Sequence, residues 1–588
     1  MKTNIYFTYF LLISFILFFS ITNFYWIKEY RFDQLLDIDE AGYLSYSMSL
    51  ANALKWGGIK GWFSALANPV QFGPLVPIIA SIFIFFADGS ENAALLTNTF
   101  LCIFLFITIS QIGLILSGKQ AALLSTIFTA SLFFIIIYSR AFSFTIASAL
   151  FFALAVLAFI KCVSFTNRNW SIILGMALAL LILSRTMTLA FLPAFFIVCL
   201  VNVFFGNESL TKNTYKNIAW SVFFFLLLAL PWYVINFKGV FGYLLSYGYG
   251  KQASEYGSNL DIFSLGYLKN RLSDWGEEYG FIQYSILIII LFFNLLKTVK
   301  NLKYITFMKS TVFQLIILLF FSFMTLFSSK NTGSGFQVPL MGVLSTLLIS
   351  CFFNLYVSCF CRVSGWFVVC TLYAVIFYSQ FNINNCNLLG YNSNQETGLN
   401  PYAKFTFPYL GDKVLLDCRG TIHRYIDAIP SSCINCQRNL DFKDINFNKE
   451  IAVKWRLLSS DIANYIYKND VNKHMISFGT RHMLMNSNTF EFELIKKNGE
   501  ALPVTQIEPT IVSNTILGYT DWIKKAENNT SCYIIKSNKT SGEFTPYPNI
   551  ELLNSALLSL DYTVKKSFNT PTEGQYFEIW AKDSNLCR

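Results

Sequence analysis

Long apolar stretches alternate with short polar ones over the first 380 residues, and this pattern then stops. Twelve stretches approach the roughly 20 apolar residues that a helix needs to cross a bilayer. They lie near residues 5–27, 74–87, 92–117, 120–138, 142–160, 171–183, 187–205, 218–236, 281–296, 310–327, 337–357 and 364–380. The sequence therefore predicts an α-helical polytopic membrane domain over residues 1–380. A cleaved signal peptide is the alternative for the first stretch, which lacks a small-residue cleavage site.

Residues 381–588 are polar and contain no stretch long enough to cross a membrane. Apolar residues at helical spacing predict helices over 452–469 and 548–561, the latter with Asn549 as its N-cap. Short β-prone runs predict buried strands over 473–479 and 531–537 and a closing hairpin over 562–582. We expect a C-terminal soluble α/β domain.

Basic residues orient the chain in the membrane. Four lysines between two apolar stretches indicate a cytoplasmic loop, because cytoplasmic loops are enriched in Lys and Arg: Lys297, Lys300, Lys303 and Lys309. Counting from this loop predicts that loops 28–73 and 237–280 and the tail are extracytoplasmic. Twelve crossings would return the tail to the cytoplasm, so we expect 11 or 13. The region 171–205, interrupted at Arg185, is the expected exception.

The amino-acid composition supports a membrane protein and argues against a nucleic-acid partner. Only 13% of the residues are charged, whereas soluble proteins carry about 25%. The net charge of +10 could suggest nucleic acid, but the basic residues fit membrane loops better, so no nucleic-acid partner is expected. The tail contains an even set of cysteines, which suggests disulfides in an oxidising compartment, with reduced thiols or a metal site as alternatives. They are Cys386, Cys418, Cys433, Cys436, Cys532 and Cys587.

Candidate chemistry begins directly after the first apolar stretch, where Asp37, Asp39 and Glu40 stand within four residues. Beyond them, aromatic and apolar residues recur at intervals of three and four up to residue 54, which predicts an amphipathic helix on the membrane surface. The acids would then occupy the helix N-terminus, where the helix dipole favours negative charge. A solvated loop with surface carboxylates is the alternative.

The segment Asp39-Glu40-Ala-Gly-Tyr43 resembles the first external loop of the GT-C glycosyltransferases, a superfamily that includes aminoarabinose transferases and protein mannosyltransferases. Three later segments resemble GT-C elements in the same order: "NPVQFGPLVP" at 68–77, "LPWYVINFKGVFGYLLSYGYG" at 230–250 and "SSKNTGSGFQVPLMGVL" at 328–344. The resemblance implies a GT-C fold in a multi-pass protein of the bacterial inner membrane.

The resemblance also implies an activity. A sugar would pass from a polyprenyl-phosphate donor to a hydroxyl of a lipid, glycan or protein acceptor at the outer face. Asp39 matches the catalytic carboxylate of the superfamily, with Glu40 and Asp37 as further candidates. Such a carboxylate can take the proton of the attacking hydroxyl, and nearby cations can stabilise the leaving phosphate.

Several residues on the predicted outer side could bind the substrates, although each could also be an ordinary membrane-boundary residue. The cationic candidates for the donor phosphate are Arg140, Arg185, Lys251, Arg271 and Lys330. The candidates for the sugar or isoprenoid are Tyr43, Gln71, Tyr247 and Tyr249.

The chain departs from the aminoarabinose transferases at two places. Gly42 stands where those enzymes have Arg, and Gln71-Phe72-Gly73-Pro74 replaces their acid and Lys before a double proline. These changes argue against aminoarabinose as the sugar and weaken a metal prediction. We expect no cofactor, with a divalent ion left open. A transporter or flippase of lipid-linked glycans, or an envelope polymerase or ligase, remains an alternative.

Overall fold

The structure of the protein is a computed structural model. The described residues are 5–355, 367, 370–371, 402–407, 411–417 and 449–582, with gaps at 34–35, 37, 69, 206–210, 251–252, 254–259, 302–309, 332, 334, 471–473, 483, 500, 508–511, 529–530, 540–547 and 572–573. Asp37, Lys251, the predicted stretch near 364–380 apart from isolated positions, and five of the six tail cysteines lie outside them.

The N-terminal part is a bundle of helices, as the apolar stretches predict. The helices are α1 (Ile5–Tyr30), α2 (Ile38–Leu66), α3 (Leu75–Phe86), α4 (Glu91–Leu95), α5 (Thr97–Ser117), α6 (Lys119–Ser131), α7 (Phe133–Ser139), α8 (Thr145–Cys162), α9 (Arg168–Ser184), α10 (Leu192–Phe205), α11 (Lys212–Tyr243), α12 (Leu265–Tyr279), α13 (Phe281–Asn301), α14 (Thr311–Phe327) and α15 (Val338–Leu355). A 3-10 helix over Thr186–Phe191 precedes α10, and a π-helical turn over Leu244–Gly248 follows α11.

Five described helical segments are long and apolar enough to cross a membrane: Tyr6–Lys28, Glu91–Ser117, Thr145–Cys162, Thr186–Val203 and Lys212–Gly248. Shorter apolar helices, among them α9, α14 and α15, pack beside them. The chain is therefore an integral membrane protein, and the predicted polytopic helical domain is confirmed.

Small residues allow these helices to approach closely. A Cβ atom on Gly175 of α9 would lie 1.9 Å from the backbone oxygen of Ser221 in α11. A Cβ atom on Gly113 of α5 would lie 2.9 Å from the Cα atom of Ala122 in α6. Close backbone contact at small residues is a main source of helix association in lipid, where apolar side chains gain little by leaving the solvent.

The helix α3 is too short to cross a membrane by itself, although its residues form one of the predicted stretches. Its 12 residues span about 18 Å, well short of a hydrocarbon core of about 30 Å. Just before it, a Cβ atom on Gly73 would lie 2.5 Å from the backbone oxygen of Leu183 at the end of α9. Just after it, Asp88 pairs with Lys55 of α2 at 2.8 Å. Both ends of α3 therefore lie at the end of the bundle that carries α2, which we call the α2 end.

The region 171–205 forms two separate helices, because the chain is extended at Arg185 with φ −158° and ψ 130°. The break that the sequence indicates is therefore present. Both α9 in this region and α3 at 75–86 are shorter than the five long segments, so the number of crossings and the place of the exception stay predictions.

The tail is an α/β domain, as predicted. Its elements in the described residues are β1 (Tyr402–Phe407), β2 (Gly411–Asp417), α16 (Lys449–Asn469), β3 (Met475–Phe478), α17 (Ser487–Asn498), β4 (Val504–Gln506), α18 (Ile516–Asn528), β5 (Ser531–Ser537), α19 (Ile550–Ser559), β6 (Tyr562–Asn569) and β7 (Tyr576–Lys582). Five strands form one sheet in the order β4-β3-β5-β7-β6, with β3 parallel to both β4 and β5. The strands β6 and β7 form the predicted antiparallel hairpin.

Both faces of this sheet are covered. The side chain of Ile535 joins the apolar cluster under α16, and that of the adjacent Ile534 joins a second cluster under α18 and α19. Asn549 caps α19 as predicted, since its side-chain oxygen accepts hydrogen bonds from the backbone N–H groups of Glu551 and Leu552. Cys532, on β5, is disulfide-bonded. The other tail cysteines of the predicted disulfides lie outside the described residues.

Candidate active site

The first turn of α2 separates two adjacent carboxylates. Asp39 is exposed, whereas Glu40 is 0% exposed, because successive residues of a helix point in different directions. Glu40 Oε2 lies 2.7 Å from Nη2 of the buried Arg31, and Glu40 Oε1 accepts a hydrogen bond from the backbone N–H of Phe142 at 2.9 Å. Glu40 thus ties the end of α1 and the segment before α8 to α2. Of the predicted catalytic acids, Asp39 is the described one that solvent and substrate can reach.

Aromatic side chains line the helix face that Asp39 shares with residues one and two turns further along. Tyr43 packs on Phe72 and Phe144, with ring centroids 5.1 and 4.0 Å apart. Tyr46 packs on Phe72 at 5.7 Å. Burial raises the pKa of Tyr46 to about 12, so its hydroxyl stays protonated at neutral pH. Asp39 therefore stands beside an aromatic surface built from the first loop and the start of α8.

One predicted cation shares a neighbouring tyrosine with this carboxylate. Arg185, at the break after α9, places its guanidinium 4.1 Å from the ring centre of Phe336, and its Nη1 lies 3.5 Å from Thr145 Oγ1. Asp39 and Arg185 both interact electrostatically with the hydroxyl of Tyr243 at the end of α11. The predicted base and a predicted phosphate ligand therefore both lie within electrostatic range of Tyr243.

The second predicted loop continues from this point. The rings of Tyr243 and Tyr247 stack with centroids 5.3 Å apart. The backbone oxygen of Tyr247 accepts a hydrogen bond from Asn331 Nδ2 at 2.8 Å, and the hydroxyl of Tyr249 donates to the backbone oxygen of Thr325 at 3.0 Å. The predicted substrate residues Tyr247 and Tyr249 therefore connect the end of α11 to the last turn of α14 and to the segment that follows it.

The two predicted external loops touch each other. The backbone N–H of Val70 donates to Asn236 Oδ1 at 2.7 Å. A Cβ atom on Gly239 would lie 3.7 Å from Gln71 Cγ. Gln71 itself is exposed, so this predicted substrate residue lies at the open side of the contact.

Other predicted cations have different surroundings. Arg140 is fully buried, donates from Nε to Asn23 Oδ1 at 2.7 Å and lies 4.4 Å over the ring of Trp26, which are both residues of α1. Arg271 is 1% exposed and donates from Nη2 to the backbone oxygen of Leu326 at 3.4 Å, in the last turn of α14. Lys330 is half-buried. The contacts of Arg140 and Arg271 indicate packing roles, and their binding of phosphate stays a prediction.

A carboxylate that the sequence did not single out, Glu278, interacts electrostatically with Arg185. Glu278 of α12 is 5% exposed, and its Oε1 accepts a hydrogen bond from the backbone N–H of Gly335 at 3.1 Å. Burial raises its pKa to about 8, although Arg271 and Arg185 favour the charged form. The sequence contains one indication of this arrangement. Arg271, Trp275 and Glu278 are spaced by four and three residues, which places them on one face of a helix.

The tail domain docks beside Asp39. Asn488 Nδ2, near the start of α17, donates to the backbone oxygen of Ile38 at 2.8 Å. A Cβ atom on Gly42 would lie 3.1 Å from the same Nδ2. Phe492 and Ile495, one and two turns further along α17, pack into the apolar core of the helical bundle. This contact explains Gly42, because a larger residue would displace Asn488.

An ion cluster makes a second tie between the tail and the bundle. Arg456 of α16 pairs with Glu91 of α4, and its Nε lies 3.4 Å from Glu493 Oε1. Lys496 Nζ lies 2.8 Å from Glu91 Oε2. Glu91 is only 3% exposed, and such buried pairs are strongly destabilised when one partner is removed. The α2 end of the bundle is therefore held against α16 and α17.

Within the described part of the chain, no group of three or more His, Cys, Asp or Glu side chains comes together as a metal site. Asp37 lies outside that part. Metal dependence stays a prediction to be tested directly.

No protein-family model matches the chain, and no curated protein sequence matches it. Among solved structures, the chain is similar to the crystal structure of ArnT from Cupriavidus metallidurans bound to undecaprenyl phosphate, at 12% identity and a TM-score of 0.52 over 98% of each chain. It is also similar to the Archaeoglobus fulgidus oligosaccharyltransferase in complex with Zn and sulfate, at 10% identity and a TM-score of 0.45 over 86% of this chain and 64% of that one. A third similarity is to AglB from the same organism in complex with an inhibitory peptide and a dolichol-phosphate, at 10% identity and a TM-score of 0.45 over 90% and 70%.

The weaker two similarities carry no argument, but the first extends over both domains of the chain. The chain has the fold of ArnT, which is the GT-C fold that the resemblance of its loops implied.

Proposed function

We propose that the chain is a membrane glycosyltransferase that transfers a sugar from a polyprenyl-phosphate donor to an acceptor hydroxyl, with Asp39 as the catalytic base. The observation that carries the proposal is the exposed Asp39 carboxylate beside an aromatic surface, together with Arg185, which acts electrostatically on the same tyrosine, Tyr243, as Asp39 does. This arrangement lies in a fold shared with a protein that was crystallised with undecaprenyl phosphate.

The proposed reaction uses these groups as follows. The Asp39 carboxylate accepts the proton of the acceptor hydroxyl while the hydroxyl oxygen bonds to the anomeric carbon. The bond between that carbon and the phosphate oxygen breaks, and the polyprenyl phosphate leaves with the electron pair. Arg185 stabilises the negative charge of the phosphate through its guanidinium. Tyr43, Tyr247 and Tyr249 offer flat surfaces for the sugar or the first isoprene units.

The proposal includes a location. The chain would lie in the bacterial inner membrane, with the α2 end and the tail on the extracytoplasmic side. Polyprenyl-phosphate donors and envelope acceptors meet at that face. The acceptor is a lipid, glycan or protein, since each of these offers hydroxyl groups to the same base.

The test is transfer of a labelled sugar from polyprenyl phosphate by the purified protein in lipid nanodiscs. Asp39→Asn keeps the size of the side chain but removes the base, so turnover should fall by about 10²–10⁴-fold. Asp33→Asn is the matched control. Asp33 is an exposed acid of the same loop at φ 57°, a conformation that Asn tolerates, so this variant should retain wild-type turnover.

Two outcomes would contradict the proposal. Asp39→Asn with near-wild-type turnover would leave the Asp39 carboxylate as a solvated helix start. Labelled donor that crosses the bilayer of proteoliposomes intact, without release of polyprenyl phosphate, would favour a flippase. Release of polyprenyl phosphate with growth of a long glycan would identify a polymerase that uses the same donor.

A further inference from the structure

The segment after α14 connects Glu278 to Arg185. The backbone N–H of Gly335 donates to Glu278 Oε1, and the ring of the next residue, Phe336, carries the Arg185 guanidinium at 4.1 Å. Gly335 has φ +80°, and a Cβ atom there would lie 2.9 Å from the Tyr138 ring. The segment can therefore approach Glu278 this closely only with glycine at this position.

Glu278 has one oxygen that this contact does not use. Its Oε2 is buried and has no hydrogen-bond partner among the described residues. An ionised carboxylate in that position would need a cation nearby, because a buried charge without compensation is costly. Arg185 lies within its electrostatic range, and the same guanidinium interacts with the Tyr243 hydroxyl near Asp39.

We propose that Glu278 is a positioning residue for Arg185, so that its charge state sets how strongly Arg185 binds the donor phosphate. The inference rests on the proposed function, since it concerns the phosphate of the polyprenyl donor. With Glu278 protonated, the carboxyl group holds Gly335 and does not reduce the positive potential that Arg185 creates at the phosphate position. With Glu278 ionised, the carboxylate attracts Arg185 and lowers the positive potential at the phosphate position.

The charges around Glu278 decide when this change occurs. On its own helix, Arg271 favours the ionised form and Asp274 opposes it, and from the bundle Arg185 favours the ionised form. Burial outweighs these charges, so the pKa lies at about 8 and the carboxyl group is mostly protonated at pH 7. The Tyr279 hydroxyl also interacts with Glu278 and stays protonated throughout.

The experiment measures binding of undecaprenyl phosphate by the full chain in nanodiscs between pH 7.0 and 9.5. The wild-type Kd should rise with pH by roughly 10- to 100-fold, as expected for a unit charge that appears about 6–12 Å from the phosphate site at an effective dielectric constant of about 20. Glu278→Gln keeps an oxygen for the Gly335 N–H but cannot ionise, so its Kd should stay near the pH 7 value. In the transfer assay, the same difference should appear in KM, while kcat at saturating donor stays within about twofold.

Asp274→Asn is the matched control, because it removes a carboxylate from the same helix without touching Gly335. Burial also raises the pKa of Asp274. This variant should keep the rise in Kd and move it to slightly lower pH, since a repulsion that raises the pKa of Glu278 is gone. A rise that persists unchanged in Glu278→Gln would overturn the inference.

A wild-type Kd that does not change with pH would overturn it as well, whatever the variants do. Both results are distinct from failure of the proposed function. If the wild type binds no undecaprenyl phosphate at any pH and releases none from a donor, the proposed donor chemistry fails first. If binding and transfer are normal but independent of Glu278, only the positioning role fails.

Discussion

Removal of Glu40 should destabilise the protein strongly, in contrast to removal of its neighbour Asp39. Glu40→Ala leaves the charge of Arg31 buried and without its 2.7 Å partner, and breaking such a pair typically costs about 3–5 kcal/mol. It also orphans the buried backbone N–H of Phe142, which adds about 1–3 kcal/mol. We expect the free energy of unfolding to fall by about 4 kcal/mol or more. Asp39→Asn, at an exposed position, should change it by at most about 0.5 kcal/mol.

The assay is chemical unfolding in mixed micelles, followed by tryptophan fluorescence. The double variant Arg31→Met with Glu40→Met separates the charge effect from the loss of the carboxylate. Apolar replacement of a whole buried pair is often neutral or stabilising, so the double variant should recover most of the loss and retain only the part due to Phe142, about 1–3 kcal/mol. The reasoning is refuted if Glu40→Ala unfolds like the wild type, or if the double variant is no better than the single one.

Four further predictions concern packing, topology and pH. Tyr46→Phe should leave the unfolding midpoint unchanged or slightly higher, because the buried hydroxyl has no hydrogen-bond partner in the described part of the chain. Gln71→Cys combined with Gly239→Cys should form a disulfide under mild oxidation, seen as a gel shift, and its absence would mean that the two loops do not touch. Mass spectrometry of the alkylated, unreduced protein should show at least two disulfides among the six tail cysteines, and six free thiols would contradict the assigned topology. Burial lowers the pKa of His482 to about 4, so the unfolded tail binds more protons between pH 6.5 and 4 and the tail should lose stability as pH falls through that window, measured by thermal unfolding.

The sequence predicts most of the helices because apolar side chains must face lipid or the bundle core over whole helical turns. It also predicts α2 with Asp39 at its start, since the spacing beyond the acids is helical. In the tail, the N-cap Asn549 and the two strands of the closing hairpin follow from local turn and strand chemistry. These features depend on residues that are near each other in the chain.

The misses concern contacts between distant segments. The residues "DWGEEY" at 274–279 contain three acids, and the sequence does not say that Glu278 is the one buried against Gly335. The helices α17 and α18 were not assigned, and α17 is the element that docks on α2. From the sequence alone, Gly42 is only a departure from the pattern of the aminoarabinose transferases. The structure explains it, because Asn488 packs against this position and leaves no room for a larger residue. Polar residues whose role depends on contacts with distant segments produce no periodic pattern in the sequence that would predict that role.

The two anchors of α2 differ greatly in how much of the chain must be synthesised before they can form. Arg31 and Glu40 are nine residues apart, so their pair can form soon after the first helix leaves the ribosome. Asn488 and Ile38 are 450 residues apart, so that contact waits until most of the tail has been made. Contacts of such separation are slow to form. A growing chain can therefore place the first loop early, yet it completes the surroundings of Asp39 only near the end of translation, which keeps unfinished chains from presenting an assembled site.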